Sequence, residues 1–383
     1  MKPFQPAQRL DDFEEYIFSS LAKAAVQIEH NSGRAVLNFG AGTPDVKPSQ
    51  HYSQKLAELV QAPDAHIYPG YGATEEFSQA LIDWYRHRFQ VTLQPDELLP
   101  LNGAKDGISH LPLAFLNEGD EILVPDPGYP AFSAPAHMIG ASPLPYSLLP
   151  ANDFKIDRAQ LEARVTPRTK FIWVNFPSNP TGHVATLTEL EDVLSFAREH
   201  NIFVLYDNAY SEITFDGVIA PSILQLNGAK DVAIEIGSFS KAFSFAGLRM
   251  GWIVGNSAMI AALAKVKSQM DSGLSLPLQG LGAYAFSHPD QQWHEQMISS
   301  YKERRDSIAK HLRSLGLTFD LPSGGLYIWA RIPDEAKSSE DFCARLLQEK
   351  QILLTPGTAF GANGERYVRV SICVNIDNIN DYF

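Results

Sequence analysis

Between residues 98 and 254, short apolar runs recur at 98–101, 121–125, 142–146, 171–175, 202–206, 233–236 and 251–254. Each run is too short for a helix and apolar on both faces, as a strand is when layers cover both sides of its sheet. Amphipathic helical patterns at 105–115, 130–139 and 187–200 separate several of them. Strand and helix in alternation build βαβ units, whose crossover helices pack on a mostly parallel sheet. This spacing predicts an α/β chain with a three-layer αβα major domain. In such sheets, ligand-binding groups gather in loops just beyond the strand C-termini.

The flanking segments follow another rhythm. A helical pattern at 13–29 runs toward the stop Asn31-Ser32-Gly33, and a short strand at 35–39 enters Gly40-Ala41-Gly42-Thr43-Pro44-Asp45. Helices are predicted at 50–60 and 74–89, with the glycine-rich loop Tyr68-Pro69-Gly70-Tyr71-Gly72-Ala73 between them. Beyond residue 282 come a long amphipathic helix at 291–314, β-like runs at 317–320, 325–332 and 367–373, and a helix at 338–350. These describe a smaller α+β domain. The division expected is a large domain over 46–282 and a small one built from both termini, 1–45 and 283–383.

Composition removes several function classes. The formal net charge is -13, so the clustered cations of a nucleic-acid footprint are not expected. No apolar stretch approaches the ~20 residues of a membrane helix, and the acidic N-terminus lacks the apolar core of a signal peptide. Cys343 and Cys373 lie far apart with no CxxC pair, which fits reduced, buried thiols in a cytoplasmic protein. The eleven histidines form no HExxH or similar grouping, so no metal is expected.

Four clusters carry residues suited to chemistry, and all fall where strands turn into helices or loops. In Gly237-Ser238-Phe239-Ser240-Lys241-Ala242, a lysine sits in apolar surroundings between small hydroxyl residues. Burial disfavours an ammonium, leaving a free amine suited to Schiff-base chemistry. Ser238, Ser240 and Arg249, eight residues past the lysine, are phosphate-binding types. After the run 171–175 comes Pro177-Ser178-Asn179-Pro180-Thr181-Gly182, a strong turn that could also fix the Asn179 amide over the strand ends. Asp207 and Tyr210 follow the run 202–206, and Asn102-Gly103-Ala104-Lys105-Asp106 would offer backbone N–H groups at a helix start. Taken singly, an ordinary loop lysine, a proline turn and a carboxylate capping the next turn account for these clusters equally well.

Taken together and in this order, the clusters resemble the aspartate-aminotransferase superfamily, the fold-type I pyridoxal-phosphate enzymes of class I/II. The match runs from Gly42-Thr43-Pro44-Asp45 to Tyr367-Val368-Arg369-Val370-Ser371, and the run Ser238-Phe239-Ser240-Lys241 with Arg249 is its most specific part. The resemblance implies that Lys241 holds pyridoxal 5′-phosphate as a Schiff base and carries the proton. It also implies that Asp207 pairs with the ring nitrogen, and that Tyr210 and Asn179 donate to the ring's phenolic oxygen. Tyr129, in Asp126-Pro127-Gly128-Tyr129-Pro130, would stack on the ring. Gly103, Ala104, Lys105, Ser238, Ser240 and Arg249 would surround the phosphate. Tyr68, or its neighbour Tyr71, would reach it from the other subunit of a homodimer. Arg369 would clamp the substrate α-carboxylate, with Gly42 and Asn179 beside it.

The activity implied is transfer of an amino group from an L-amino acid to a 2-oxo acid by a ping-pong mechanism. A carbon–sulfur β-lyase of the same fold shares these residues and stands as the alternative. A pyridoxal-binding transcription regulator would need a DNA-binding domain before residue 42, where only an acidic helix is read. Gly324-Gly325-Leu326-Tyr327 is read as the structural start of a strand. The runs around Lys105, Tyr129 and Tyr68 look most like the LL-diaminopimelate aminotransferase branch. Relatives continue through a terminal helix where this chain stops at Phe383, so its closing segment is either short or truncated.

Overall fold

The computed structural model describes residues 4–11, 13 and 17–383. Its strands are β1 (Leu37–Asn38), β2 (Leu98–Leu101), β3 (Glu121–Asp126), β4 (Ser142–Ser147), β5 (Thr169–Asn175) and β6 (Phe203–Asp207). They continue with β7 (Ala233–Ser238), β8 (Gly251–Gly255), β9 (Tyr327–Arg331), β10 (Ile352–Leu353), β11 (Thr355–Pro356) and β12 (Tyr367–Ser371). The seven apolar runs form one sheet in the order β2-β8-β7-β6-β5-β3-β4. Strands β7, β6, β5, β3 and β4 run parallel to one another, and β8 runs antiparallel to both β2 and β7.

Side chains alternate across this sheet with the two-residue period of a strand. Ile172, Val174, Val204 and Tyr206 join a core with helices Glu75–Phe89, Leu187–His200 and Leu276–Ser287. Phe171, Trp173, Leu205 and Ile234 face the opposite way, against Ala104–Phe115 and Ser257–Met270. Both faces are therefore buried, as the continuous apolar runs required. Register sets the ends of the central strands side by side, with Asn175 opposite Asp207 and Asp207 opposite Ile236.

Helix boundaries have local causes. Thr186 caps Leu187–His200 in a reciprocal box with Glu189, and Asn201 ends it in the left-handed conformation at φ 54°. The pattern at 130–139 does not form one helix. It divides into a 3-10 turn, Pro130–Phe132, and a short α-helix, Ala134–Met138, because Pro135 has no N–H and fits only a first turn. The N-terminal helix is observed as Ile17–Ser32, and residues 14–16 of the predicted span lie outside those described.

The remaining strands make a parallel pair, β1 with β10, and a three-stranded antiparallel sheet, β11-β12-β9. They share a separate core of Phe39, Tyr301, Ile308, Ile328, Val368 and Val370 with the helix Gln291–Ser314. The run 317–320 is not a strand. Only Thr318 bridges to Arg331, and the chain then turns into Leu321-Pro322, where proline offers no donor to extend the ladder. Among the described residues, no helix is long and apolar enough to cross a membrane.

One buried cation fixes the start of Ala104–Phe115. Lys267 pairs with Asp106, in the first turn of that helix, and with Asp271 at 2.6 Å. Asp106 also accepts from the Asn102 backbone N–H at 2.9 Å, and His110 Nδ1 lies 2.6 Å away. Burial opposes the Asp106 charge, but hydrogen bonds from His110 and Lys267 outweigh it and hold the carboxyl below its ordinary range. Asp106, His110 and Asp271 converge closely enough to hold a metal ion, but the Lys267 ammonium already pairs with both carboxylates. Replacing Lys267 by alanine leaves the half-buried Asp106 carboxylate without its lysine partner. Lys267→Ala should lower the unfolding free energy in urea by about 3 kcal/mol, and a loss under about 1 kcal/mol would show that the pair does not hold this helix.

Candidate active site

The strand ends carry polar groups into a cavity of about 470 Å³. At the end of β5, the Asn175 amide faces two ways. Its Nδ2 donates to the Asp207 carbonyl at 3.0 Å, and its Oδ1 accepts the Asn179 N–H at 2.9 Å. One side chain thus ties the Asn179 turn to the end of β6. Asn175 was read from the sequence only as the last residue of a strand, although an asparagine closing an apolar run was the available signal.

Asp207 is 5% exposed, and its Oδ1 accepts the Ala209 N–H at 3.1 Å. Burial pushes its carboxyl up to about 7, against the opposing pull of that N–H and of the Lys241 ammonium. Lys241 lies in the one-turn helix Phe239–Ala242, which Ser238 caps by accepting the Ser240 N–H at 3.2 Å. The lysine is half-buried, donates to the Gly42 carbonyl at 3.0 Å and stands 5.6 Å from the centre of the Tyr210 ring.

At one end of the cavity are Ala104, Lys105, Ser238, Ser240 and Arg249. Gly103 turns β2 into the following helix at φ 88°, where a side chain would be strained. A Cβ there would also lie 2.6 Å from Arg249 Nη2, so the guanidinium packs directly on the glycine. Arg249 is exposed and donates from Nη1 to the Ala246 carbonyl at 2.9 Å. Cationic groups and the N–H groups of a helix start thus share one corner, the arrangement that holds a phosphate.

At the other end Arg369, on β12, is 2% exposed and not the solvated strand arginine that position alone allowed. It donates from Nη1 to Asn179 Oδ1 at 3.0 Å and from Nη2 to the Gly40 carbonyl at 2.9 Å. Its guanidinium lies 4.1 Å from the ring centre of Tyr327 and 4.8 Å from those of Phe18 and Phe360. Its Nε is buried with no partner among the described residues, a donor that a ligand carboxylate would satisfy.

Tyr129 is half-buried, lines the same cavity and meets Phe132 edge-to-face at 5.7 Å. Tyr68 and Tyr71 are not brought into it. They are 86% and 57% exposed, and neither lines the cavity of its own chain. Phe18 and Tyr327 do line it, though the sequence offered them only as helix and strand residues. Tyr327 opens β9 as expected, yet its hydroxyl is 3.3 Å from that of Tyr210. A Cβ on Gly42 would overlap its ring, so the Gly42 backbone rests on the phenol.

Comparison with known proteins places the chain in a family. The family model for aminotransferase class I and II matches residues 34–381. The chain is similar to the LL-diaminopimelate aminotransferase of Dehalococcoides mccartyi (strain CBDB1), 37% identical over 97% of this chain and 96% of that protein. It is also 37% identical to the LL-diaminopimelate aminotransferase of Aquifex aeolicus (strain VF5), over 98% of this chain and 97% of that one. Apo-BacF from Bacillus subtilis superposes with a TM-score of 0.92 at 32% identity, covering 99% of this chain and 97% of the other. These relatives favour amino-group transfer over β-elimination. The chain belongs to the class I and II aminotransferases, enzymes that move amino groups with pyridoxal 5′-phosphate.

Proposed function

We propose that Lys241 is the residue that binds the cofactor covalently, and that the amino group passes from an L-amino acid to a 2-oxo acid in ping-pong fashion. One observation carries this reading: Lys241, Asp207, Arg249 and Arg369, from three separate stretches of chain, line one cavity. When bound, pyridoxal phosphate supplies the electron sink that lets the α-proton of an amino acid leave.

The protein's own groups divide the remaining tasks. Ala104, Lys105, Ser238, Ser240 and Arg249 hold the phosphate. The Asp207 carboxylate would pair with the ring nitrogen and hold a proton there, and Tyr129 would pack on the ring. Asn179 and Tyr210 address the phenolic oxygen. The Lys241 amine takes the α-proton and returns it, a role suited to a lysine beside a buried carboxyl. Arg369 takes the substrate carboxylate with its fork, and the rings of Phe18, Tyr327 and Phe360 keep water from the guanidinium. Gly42 leaves room for this because a side chain there would strike Tyr327.

Several coarser features belong to the same reading. We propose a large domain over 46–282 and a small one from 1–45 and 283–383, supported by the separate apolar cores. We propose a homodimer in which Tyr68 reaches the partner's phosphate corner. Its exposure, together with that of Ile67, Tyr71 and Met270, supports this. A cytoplasmic location is supported by the free thiols of Cys343 and Cys373. The amino donor class is taken from the named relatives, which makes LL-diaminopimelate the first donor to test.

Lys241→Ala should abolish the absorbance of the covalently held cofactor, and retention of that band would assign the linkage to another lysine. A donor panel including LL-diaminopimelate, with 2-oxoglutarate as acceptor, should convert the cofactor to its amino form with at least one amino acid. Conversion with none would reject the assignment. A third expectation concerns pH. Asp207 titrates near 7 in the folded, cofactor-free protein and near 4 when unfolded, so it favours the fold while protonated. That contribution is lost as pH rises through about 7. The thermal midpoint of the cofactor-free protein should therefore fall more steeply from about pH 5 to about pH 8 than that of Asp207→Asn. Equal slopes would show that Asp207 does not carry a raised value.

A further inference from the structure

Tyr327 touches both halves of the site, although only its ring, beside Arg369, has so far been given a part. It is 3% exposed, and the phenol lies between the Gly42 backbone, the Tyr210 hydroxyl at 3.3 Å and the Arg369 guanidinium at 4.1 Å. Strand pairing explains why it can do this. Tyr327 pairs with Ser371 and Arg369 with Trp329, so the tyrosine and arginine sit on adjacent strands one diagonal step apart.

The hydroxyl pair imposes a choice. A phenol carries a single hydrogen, so Tyr210 can donate to Tyr327 or to another acceptor, but not to both. Burial, reinforced by Tyr327, pushes the Tyr210 phenol well above its ordinary range and keeps that hydrogen in place. The charged groups around the pair are Lys241, Asp207 and Arg369. If Tyr327 is the donor, the Tyr210 hydrogen is left for an acceptor in the cavity, and Tyr210 becomes a stronger donor through its own accepted bond. In this structure Tyr210 is the donor to Tyr327, so without an acceptor in the cavity its hydrogen is spent inside the protein; a phenolic oxygen placed there would take that hydrogen and leave Tyr327 to donate to Tyr210 instead.

We propose that Tyr327 is a positioning residue for both occupants of the site: with the cofactor in place its hydroxyl donates to Tyr210, which frees the Tyr210 hydrogen for the cofactor's phenolic oxygen, while its ring braces the Arg369 guanidinium for the substrate carboxylate. The proposal rests on the reading that Tyr210 faces the cofactor and Arg369 the carboxylate. The two contributions are separable because the hydroxyl and the ring act on different partners. Removing the hydroxyl weakens Tyr210 as a donor, so the nitrogen joining Lys241 to the cofactor gains proton affinity. Removing the ring loosens the guanidinium and weakens amino-acid binding.

The test uses the cofactor-loaded enzyme and four variants: Tyr327→Phe, Tyr327→Leu, Tyr210→Phe and the double phenylalanine variant. The first measurement is the apparent pKa of the lysine-linked nitrogen, read from absorbance across pH. The second is the split between KM and kcat for an active amino donor. Tyr327→Phe should raise that pKa by about half a pH unit while KM changes less than about twofold, because the ring remains. Tyr210→Phe should raise it further, and the double variant should match Tyr210→Phe, since the Tyr327 hydroxyl acts only through Tyr210. Tyr327→Leu should raise KM about tenfold. A raised pKa in Tyr210→Phe with no change in Tyr327→Phe overturns the hydroxyl role and leaves the Tyr210 reading standing. No change in either variant removes the Tyr210 reading and the hydroxyl role together. An unchanged KM in Tyr327→Leu overturns the bracing of Arg369.

Discussion

The parallel ladder of β5, β6 and β7 is the constraint on which the site depends. Its register puts Asn175 opposite Asp207 and Asp207 opposite Ile236, so three strands end together. In a parallel sheet every strand presents its C-terminal end to the same side, and the loops leaving those ends converge. A shift of one residue in any of the three would turn the terminal polar group to the other face of the sheet. Helices on both faces bury the strands, and it is this two-sided burial that makes the register specific.

Convergence alone would leave polar groups stranded in an apolar interior, which is costly unless they pair. Asn175 resolves part of this by bonding both the Asp207 carbonyl and the Asn179 N–H. Arg369 resolves another part from the opposite direction, through Asn179 and Gly40. Asn179 therefore stands where the turn after β5 meets the three-stranded sheet, and Gly40 brings in the segment that follows β1. What stays unsatisfied is informative: the buried Arg369 Nε lacks a partner among the described residues, and burial raises the titration of the Asp207 carboxyl. An anion near the first and a cation near the second would relieve both, and an amino-acid carboxylate and a protonated ring nitrogen are such groups.

Local reasoning succeeded where one element settles its own fate. The seven apolar runs became the seven strands of one sheet because burial on both faces leaves little else for them to be. The helices at 187–200 and 291–314 were legible because capping residues and the 3.6-residue period agree there. It failed where a neighbour decides. The run 317–320 has strand composition but makes a single bridge, and 130–139 is broken by the demand of one proline. Phe18, Asn175 and Tyr327 were missed as site residues for a related reason. Periodicity tells which side of its own element a residue faces, and says nothing of what lies across from that side.

The sequence by itself determined the α/β architecture and the placement of polar groups at strand ends, and it singled out Lys241, Asp207, Asn179, Arg249 and Arg369 as candidates, which the structure brings to one cavity. Each is readable because it sits in a short stretch whose turn, cap or strand end is dictated by its immediate neighbours. Only the tertiary structure decided that Arg369 is buried between three aromatic rings, that Tyr327 reaches Tyr210, and that Tyr68 lies outside the cavity of its own chain. Those facts depend on contacts between residues such as 42, 210, 327 and 369, which are distant along the chain. No local periodicity records such contacts, because they arise only when separate elements pack and their facing side chains compete for the same space.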